Sequence, residues 1–190
     1  HNFARLSTAI TNCFLRSNNN AVVKATNPML LREFYRLSTA NALTRIYADT
    51  CTLLHDSGME LLDAAEKVFS STPNQHLLIL TSVLYELQNV ARKDPTKKTR
   101  CKMILDKLNR MHQNSTVKFI ASNSPEFSDA GFISRFVTES QTYDVVLLTQ
   151  DRSLATKVTH LPSFLDGCVN SAHLIRAFRL TAVGNLVPFA

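Results

Sequence analysis

Four acids lie far apart along the chain: Asp49, Glu86, Asp129 and Asp151. Each stands beside a run that reads as a strand or the first turns of a helix. Asp49 directly follows a short strand at 45–48, and Asp151 comes just after another at 144–148. Glu86 falls about one turn into the helix that follows an apolar run at 77–81, and Asp129 opens the helix before the fourth strand. In an open parallel sheet, ligands bind beyond the carboxyl ends of the strands, so acids at those ends face a common edge. Carboxylates gathered without counter-charge repel one another and resist desolvation, and a hard divalent cation relieves both penalties. With oxygen donors dominating, Mg2+ or Mn2+ is the natural occupant. Such an ion polarises a phosphoryl oxygen and turns bound water into a nucleophile, so the expected chemistry is phosphodiester hydrolysis. Thr50 and Thr149 are expected to hydrogen-bond the carboxylates or metal-bound water.

Each acid also has a plainer role open to it. Asp151 reads as a cap for the helix after it, Glu86 as a surface helix residue, and Asp129 as first-turn charge favouring the helix dipole. Asp49 is harder to dismiss, because an acid ending an apolar strand needs a partner. Asp56 reads as a cap or loop acid, Asp144 starts a strand at the far end of the sheet, and His55 is a packing or surface residue.

The elements that must position these acids follow from periodicity. From residue 44, short β-branched or aliphatic runs alternate with amphipathic helices, the pattern of an α/β domain with a mostly parallel sheet. Strands are expected at 45–48, 77–81, 117–121 and 144–148, with a closing hairpin in 174–189. Helices are expected at 57–69, where Ser57 and Glu60 have capping-box spacing, and at 83–93. A further one is expected from Asp94-Pro95 to about 112, with Asp94 as cap and Pro95 in the first turn. The remaining two are 128–140 and 152–158. Upstream, residues 1–44 read as a helical N-terminal extension of two helices, at 3–15 and 28–43, joined by the Asn18-Asn19-Asn20 loop signal. Residues 45–190 form the main domain.

The chain has 190 residues, 45% apolar and 19% charged, so a disordered or collagenous reading is excluded. No apolar run approaches membrane-spanning length. Net charge is +6, and the segment 92–110 alone supplies all of it. Arg92, Lys93, Lys97, Lys98, Arg100 and Lys102 are therefore the candidate contacts to a polyanion. Four dispersed cysteines, Cys13, Cys51, Cys101 and Cys168, suggest neither zinc site nor disulfide framework, which fits a reducing, intracellular and cytoplasmic setting. Residues 1–32 contain Arg5, Arg16, Lys24 and Arg32 but no acid, a composition a transit peptide would also show.

Around the acids the chain resembles the PIN-domain nucleases. Tyr47-Ala48-Asp49-Thr50-Cys51-Thr52-Leu53-Leu54-His55-Asp56 is similar to the family's opening motif, and Thr81-Ser82-Val83-Leu84-Tyr85-Glu86-Leu87 to its second. Asp129-Ala130-Gly131-Phe132-Ile133 and Leu147-Leu148-Thr149-Gln150-Asp151-Arg152-Ser153-Leu154 are similar to the third and fourth, in the same order. The opening motif is closest to the PIN modules of PhoH-type proteins, although no Gly-rich phosphate loop occurs here. Cys51 stands where Asn is common, and Gly131 weakens its helix by roughly 1 kcal/mol relative to Ala.

The resemblance implies a three-layer α/β/α PIN-like fold and a Mg2+- or Mn2+-dependent endoribonuclease acting on single-stranded RNA. Asp49 and Asp151 would ligate metal, and Glu86 and Asp129 would ligate it or orient its waters. A non-catalytic RNA-binding or scaffold protein keeping the fold is the alternative. Residues 1–44 would then offer a surface to a protein inhibitor or a second copy of the chain.

Overall fold

The computed structural model describes residues 27–39, 44–122, 128–162 and 173–189. Its centre is a sheet of β1 (Thr44–Ala48), β2 (Leu77–Leu80), β3 (Val117–Ile120), β4 (Asp144–Leu148), β5 (Ile175–Leu180) and β6 (Leu186–Pro188). The strand order is β3-β2-β1-β4-β5-β6; the first five run parallel, and β6 returns antiparallel to β5 as the expected hairpin. All of β2 is buried, as is β4 beyond its first residue. That is why these strands read as unbroken apolar runs: a parallel sheet is covered on both faces.

Around the sheet lie α1 (Pro28–Thr39), α2 (Thr50–Leu53), α3 (Gly58–Ser70), α4 (Thr81–Lys93), α5 (Lys98–Gln113), α6 (Ser128–Glu139) and α7 (Arg152–Thr159). Right-handed crossovers from β1 leftward to β2 and from β4 rightward to β5 send their helices to opposite faces. Accordingly α1, α3 and α5 pack together on one face and α6 and α7 on the other, with α4 touching both α5 and α6. The protein is a three-layer α/β/α structure with a mostly parallel sheet. Among the described residues no helix is long and apolar enough to cross a membrane.

Two expected caps do not form. Ser57 precedes α3 but its side chain makes no capping bond; its backbone sits at φ −91°, ψ 12°, not in the extended conformation that aims an N-cap hydroxyl at the helix. Asp94 and Pro95 do not open α5, which begins at Lys98. Asp94 instead ends α4, and its Oδ1 accepts from Thr96 N (3.0 Å) and Thr96 Oγ1 (2.5 Å). An Asx turn has taken the acid that the helix would have used. Thr81, expected as the last strand residue, starts α4.

Asn27 caps α1, its Oδ1 accepting from Met29 N (3.0 Å). The apolar stripe of this helix, Leu30, Phe34 and Leu37, is fully buried, and Phe34 meets Phe69 of α3 edge to face at 6.0 Å. Asn27 Nδ2 also donates to Val183 O (3.2 Å) in the β5–β6 turn. This part of the 1–44 segment therefore contributes to the same core as the sheet; the expected helix at 3–15 lies outside the described residues. On the other face Tyr47 packs against Phe132 and Phe136 and donates to Glu139 Oε2 (2.6 Å). Arg45 and Arg135 complete that buried carboxylate's partners at 2.6 and 2.8 Å.

Candidate active site

β1 and β4 are neighbours whose following helices leave on opposite sides, so the sheet's switch point opens between their carboxyl ends. Asp49 stands at that point. Its N–H continues the ladder to Leu148 O (2.9 Å), after which the chain turns into α2 with Asp49 as N-cap. Its Oδ1 accepts from Thr50 N (2.7 Å), and its Oδ2 accepts from the Cys51 thiol (2.9 Å) and the Thr149 hydroxyl (2.9 Å). The side chain is buried. Burial pushes its carboxyl above the ordinary range, and Glu86 adds to this; the bonds from Cys51, Thr149 and Thr50 offset only part of it. Burial and the adjacent Asp49 push the Cys51 thiol up to about 12, so it acts as a neutral donor.

The other three acids surround this one. Thr50 Oγ1 donates to Glu86 Oε2 (2.7 Å), tying the first turn of α2 to α4. The Thr149 hydroxyl that holds Asp49 also accepts from Asp151 N (3.0 Å), so one side chain sets both acids. Asp151 does cap α7, through Oδ1 to Leu154 N (3.0 Å), which spends one of its two oxygens. Asp129, in the first turn of α6, has its carboxyl raised by burial and then by Asp151 and Glu86, with Lys157 of α7 opposing. Asp49 thus feels the charge of Glu86, and Asp129 that of both Asp151 and Glu86.

They do not, however, close on one point. Among the described residues no three His, Cys, Asp or Glu side chains stand together as a ready metal cage. Convergence of all four carboxylates on a single ion, as the sequence suggests, is not the observed arrangement; the acids border a common edge. The donors nonetheless suit Mg2+ or Mn2+ in kind, because Mg2+ keeps much of its water and is usually held by one or two carboxylates plus substrate phosphate. Ser82 adds to this fit. It sits one turn before Glu86 on α4, and its buried hydroxyl has no hydrogen-bond partner, the kind of group an ordered water or ion-bound water would satisfy. Its helical i, i+4 relation to Glu86 was the available signal.

Gly131 lies beside Ser82 without being required there. A Cβ at this position would meet Leu80 Cδ1 at 3.4 Å, Ser122 Cβ at 3.6 Å and Ser82 Oγ at 3.7 Å, ordinary contacts. Gly131→Ala is therefore expected to stabilise by up to about 1 kcal/mol through helix propensity, raising Tm by about 2–4 °C. A lower Tm in a thermal melt would show that the glycine is needed for close approach.

The basic segment divides. Arg100 donates to Asp56 Oδ1 (3.1 Å) and to the His55 carbonyl, fastening α5 to the turn after α2. Lys97 pairs with Asp94 (3.3 Å), and Arg92 bonds Asn89 on its own helix. Lys107 is buried between Asp63 Oδ1 (2.7 Å) and Glu66 Oε2 (2.5 Å). Lys93 is exposed. Arg92, Lys98 and Lys102 line an open groove between α4 and α5 with Gln88, Ala91, Leu105 and Asp106. Of the six candidates, Arg100 is committed within the fold, and Lys98 and Lys102 line the groove with Arg92.

Fold and site together define an α/β protein with a carboxylate-edged switch point and a cationic groove on the helix that bears one of its acids. No protein-family model matches the chain, and no curated protein matches it.

Proposed function

We propose that this protein is a Mg2+- or Mn2+-dependent nuclease that hydrolyses phosphodiester bonds in single-stranded nucleic acid, RNA foremost. The observation that carries the reading is the grouping of the four acids along the β1/β4 edge, where Thr50 bonds Glu86, Thr149 joins Asp49 to Asp151, and burial and neighbouring carboxylates raise Asp49 and Asp129. A site that strains its acids in this way calls for positive charge. The resemblance of the four acid motifs to PIN-domain nucleases supports the same chemistry.

Asp49 and Asp151 would hold the ion, with Glu86 and Asp129 placed along the same edge as partners of its waters. When bound, the ion supplies Lewis acidity and an activated water. The chain's own residues do the positioning. Thr149 keeps Asp49 and Asp151 in fixed relation, Thr50 steadies Glu86, and the Cys51 thiol holds Asp49 Oδ2 without adding charge. Lys98 and Lys102 would hold flanking phosphates. A reducing, cytoplasmic setting belongs to the same proposal, in keeping with free thiols at Cys51 and Cys101.

The deciding experiment incubates the protein with RNA and single-stranded DNA oligonucleotides, with Mn2+ and with excess chelator. Cleavage only with metal supports the reading; cleavage in chelator, or none under any condition, overturns it. The second outcome would favour a non-catalytic RNA-binding role, which the open spacing of the acids would suit. Binding gives an independent check. Replacing Lys98 and Lys102 with Ala is expected to weaken RNA binding and to flatten the log K against log[salt] slope by about 1.4, at about 0.7 per phosphate contact. A slope equal to that of the wild type would remove the groove from the interface.

A further inference from the structure

Tyr85 is a large side chain that folding leaves 42% exposed, on the residue directly before Glu86. An exposed aromatic by itself is ordinary. Its neighbours on α4 make this one informative. Gln88 and Arg92 follow at i+3 and i+7, so the three share one solvent-facing stripe of the helix. Gln88 and Arg92 also form one wall of the groove whose other wall carries Lys98 and Lys102. One stripe therefore leads from the turn that bears Glu86, past an exposed ring, into a cationic groove.

An aromatic face followed by a positively charged track is the composition that binds unpaired strands: the ring stacks on a base and the cations follow the phosphates. A duplex presents no free base face to such a ring. We propose that Tyr85 is the specificity-determining residue of this surface, a stacking platform that selects single-stranded nucleic acid over duplex. The inference rests on the nuclease reading for its substrate class, but concerns binding and can be tested without turnover.

The full chain, with Tyr85→Ala and Tyr85→Phe variants, is titrated in chelator against a labelled unpaired oligonucleotide and a duplex of the same composition, with anisotropy as the readout. Stacking on one base is worth about 1–3 kcal/mol. Tyr85→Ala should therefore lose about 5- to 150-fold in affinity for the unpaired strand, at about 1.4 kcal/mol per decade. Tyr85→Phe should stay within about twofold, since it keeps the ring face, and duplex affinity should be alike in all three proteins.

A second readout uses the composition: with four Tyr and no Trp, the emission is that of tyrosine alone. Unlabelled single strand should quench part of it in the wild type, and that part should be missing in Tyr85→Phe. Unpaired-strand affinity unchanged in Tyr85→Ala, equal losses on strand and duplex, or a Phe variant as weak as the Ala variant would overturn the proposal. Should the strand bind through Tyr85 while Mn2+ brings no cleavage, the nuclease reading fails and the stacking surface stands. Metal-dependent cleavage together with normal strand binding by Tyr85→Ala does the reverse: the stacking surface fails and the nuclease reading stands.

Discussion

Asp49→Asn is expected to abolish metal-dependent cleavage and, at neutral pH, to make the protein more stable. On the nuclease reading the ion that Asp49 would hold supplies several kcal/mol of transition-state charge stabilisation, so losing it should lower cleavage by about 10^3-fold or more, at about 1.4 kcal/mol per decade. The amide keeps the shape of the side chain, and its carbonyl oxygen can still accept from Thr50 N at the head of α2. It discards a buried negative charge facing Glu86 and the acceptor for the Cys51 thiol and the Thr149 hydroxyl, which must turn to accept from the amide nitrogen, and the removal of the charge is expected to outweigh that loss.

The pH dependence follows from the direction of the Asp49 shift. Its folded carboxyl lies above its ordinary value of 3.8, so the folded state binds the proton more tightly than the unfolded one. Stability attributable to this group therefore falls as pH rises from about the unfolded value through the folded one. At neutral pH the full cost of the ionised form is present, and below the unfolded value it vanishes. The Tm advantage of Asp49→Asn should be about 2–4 °C for each kcal/mol recovered, largest near pH 7 and shrinking toward pH 4. Mn2+ should raise the Tm of the wild type but not of the variant, because only a folded site that binds the ion is stabilised by it. A variant that melts below the wild type at every pH would show that the carboxylate is structural.

Gly58→Ala is the second large effect, and it acts on the backbone. A Cβ at position 58 would lie 2.1 Å from Leu53 O, 2.8 Å from Leu53 C and 2.9 Å from Thr52 O. The end of α2 folds down onto the start of α3, and Gly58 N donates to His55 O at 2.7 Å across that reversal. Main chain, which cannot change rotamer, is the obstacle, so the cost belongs at the upper end of the overpacking range, about 3 kcal/mol, or a Tm lower by about 6–12 °C. The same displacement moves α2, which carries Thr50 and Cys51, the donors to Glu86 and Asp49. Cleavage assayed well below the lowered Tm should therefore also fall. Calorimetry showing an unchanged Tm would mean that the two helices separate more easily than their contact suggests.

Much of the frame was legible because its causes are local. Strands buried on both faces need unbroken apolar residues, so β2 and β4 announce themselves, and an acid ending such a strand marks the carboxyl edge. α2 did not, since four residues carry no periodicity. Ser57 and Glu60 have the right spacing for a capping box, but the tight reversal at Gly58 leaves Ser57 in the wrong conformation. Arg100 reads as a contact to a polyanion and Lys107 belongs to the same basic segment, yet their partners Asp56 and Glu66 come from 44 and 41 residues away. Sequence spacing on one helix holds no trace of such pairs. The acids' shared edge followed from strand order; how closely they approach depends on bonds such as Thr50 to Glu86, which topology leaves open.

The hydroxyl of Thr149 reaches Asp49 across 100 residues of chain. During synthesis, β1 and its acid emerge long before β4, the neighbour whose end supplies Leu148 O and the Thr149 hydroxyl to Asp49. A growing polypeptide still attached to its ribosome thus holds Asp49 without the group that fixes it. Whatever chemistry this edge supports therefore waits until the fourth strand has been made.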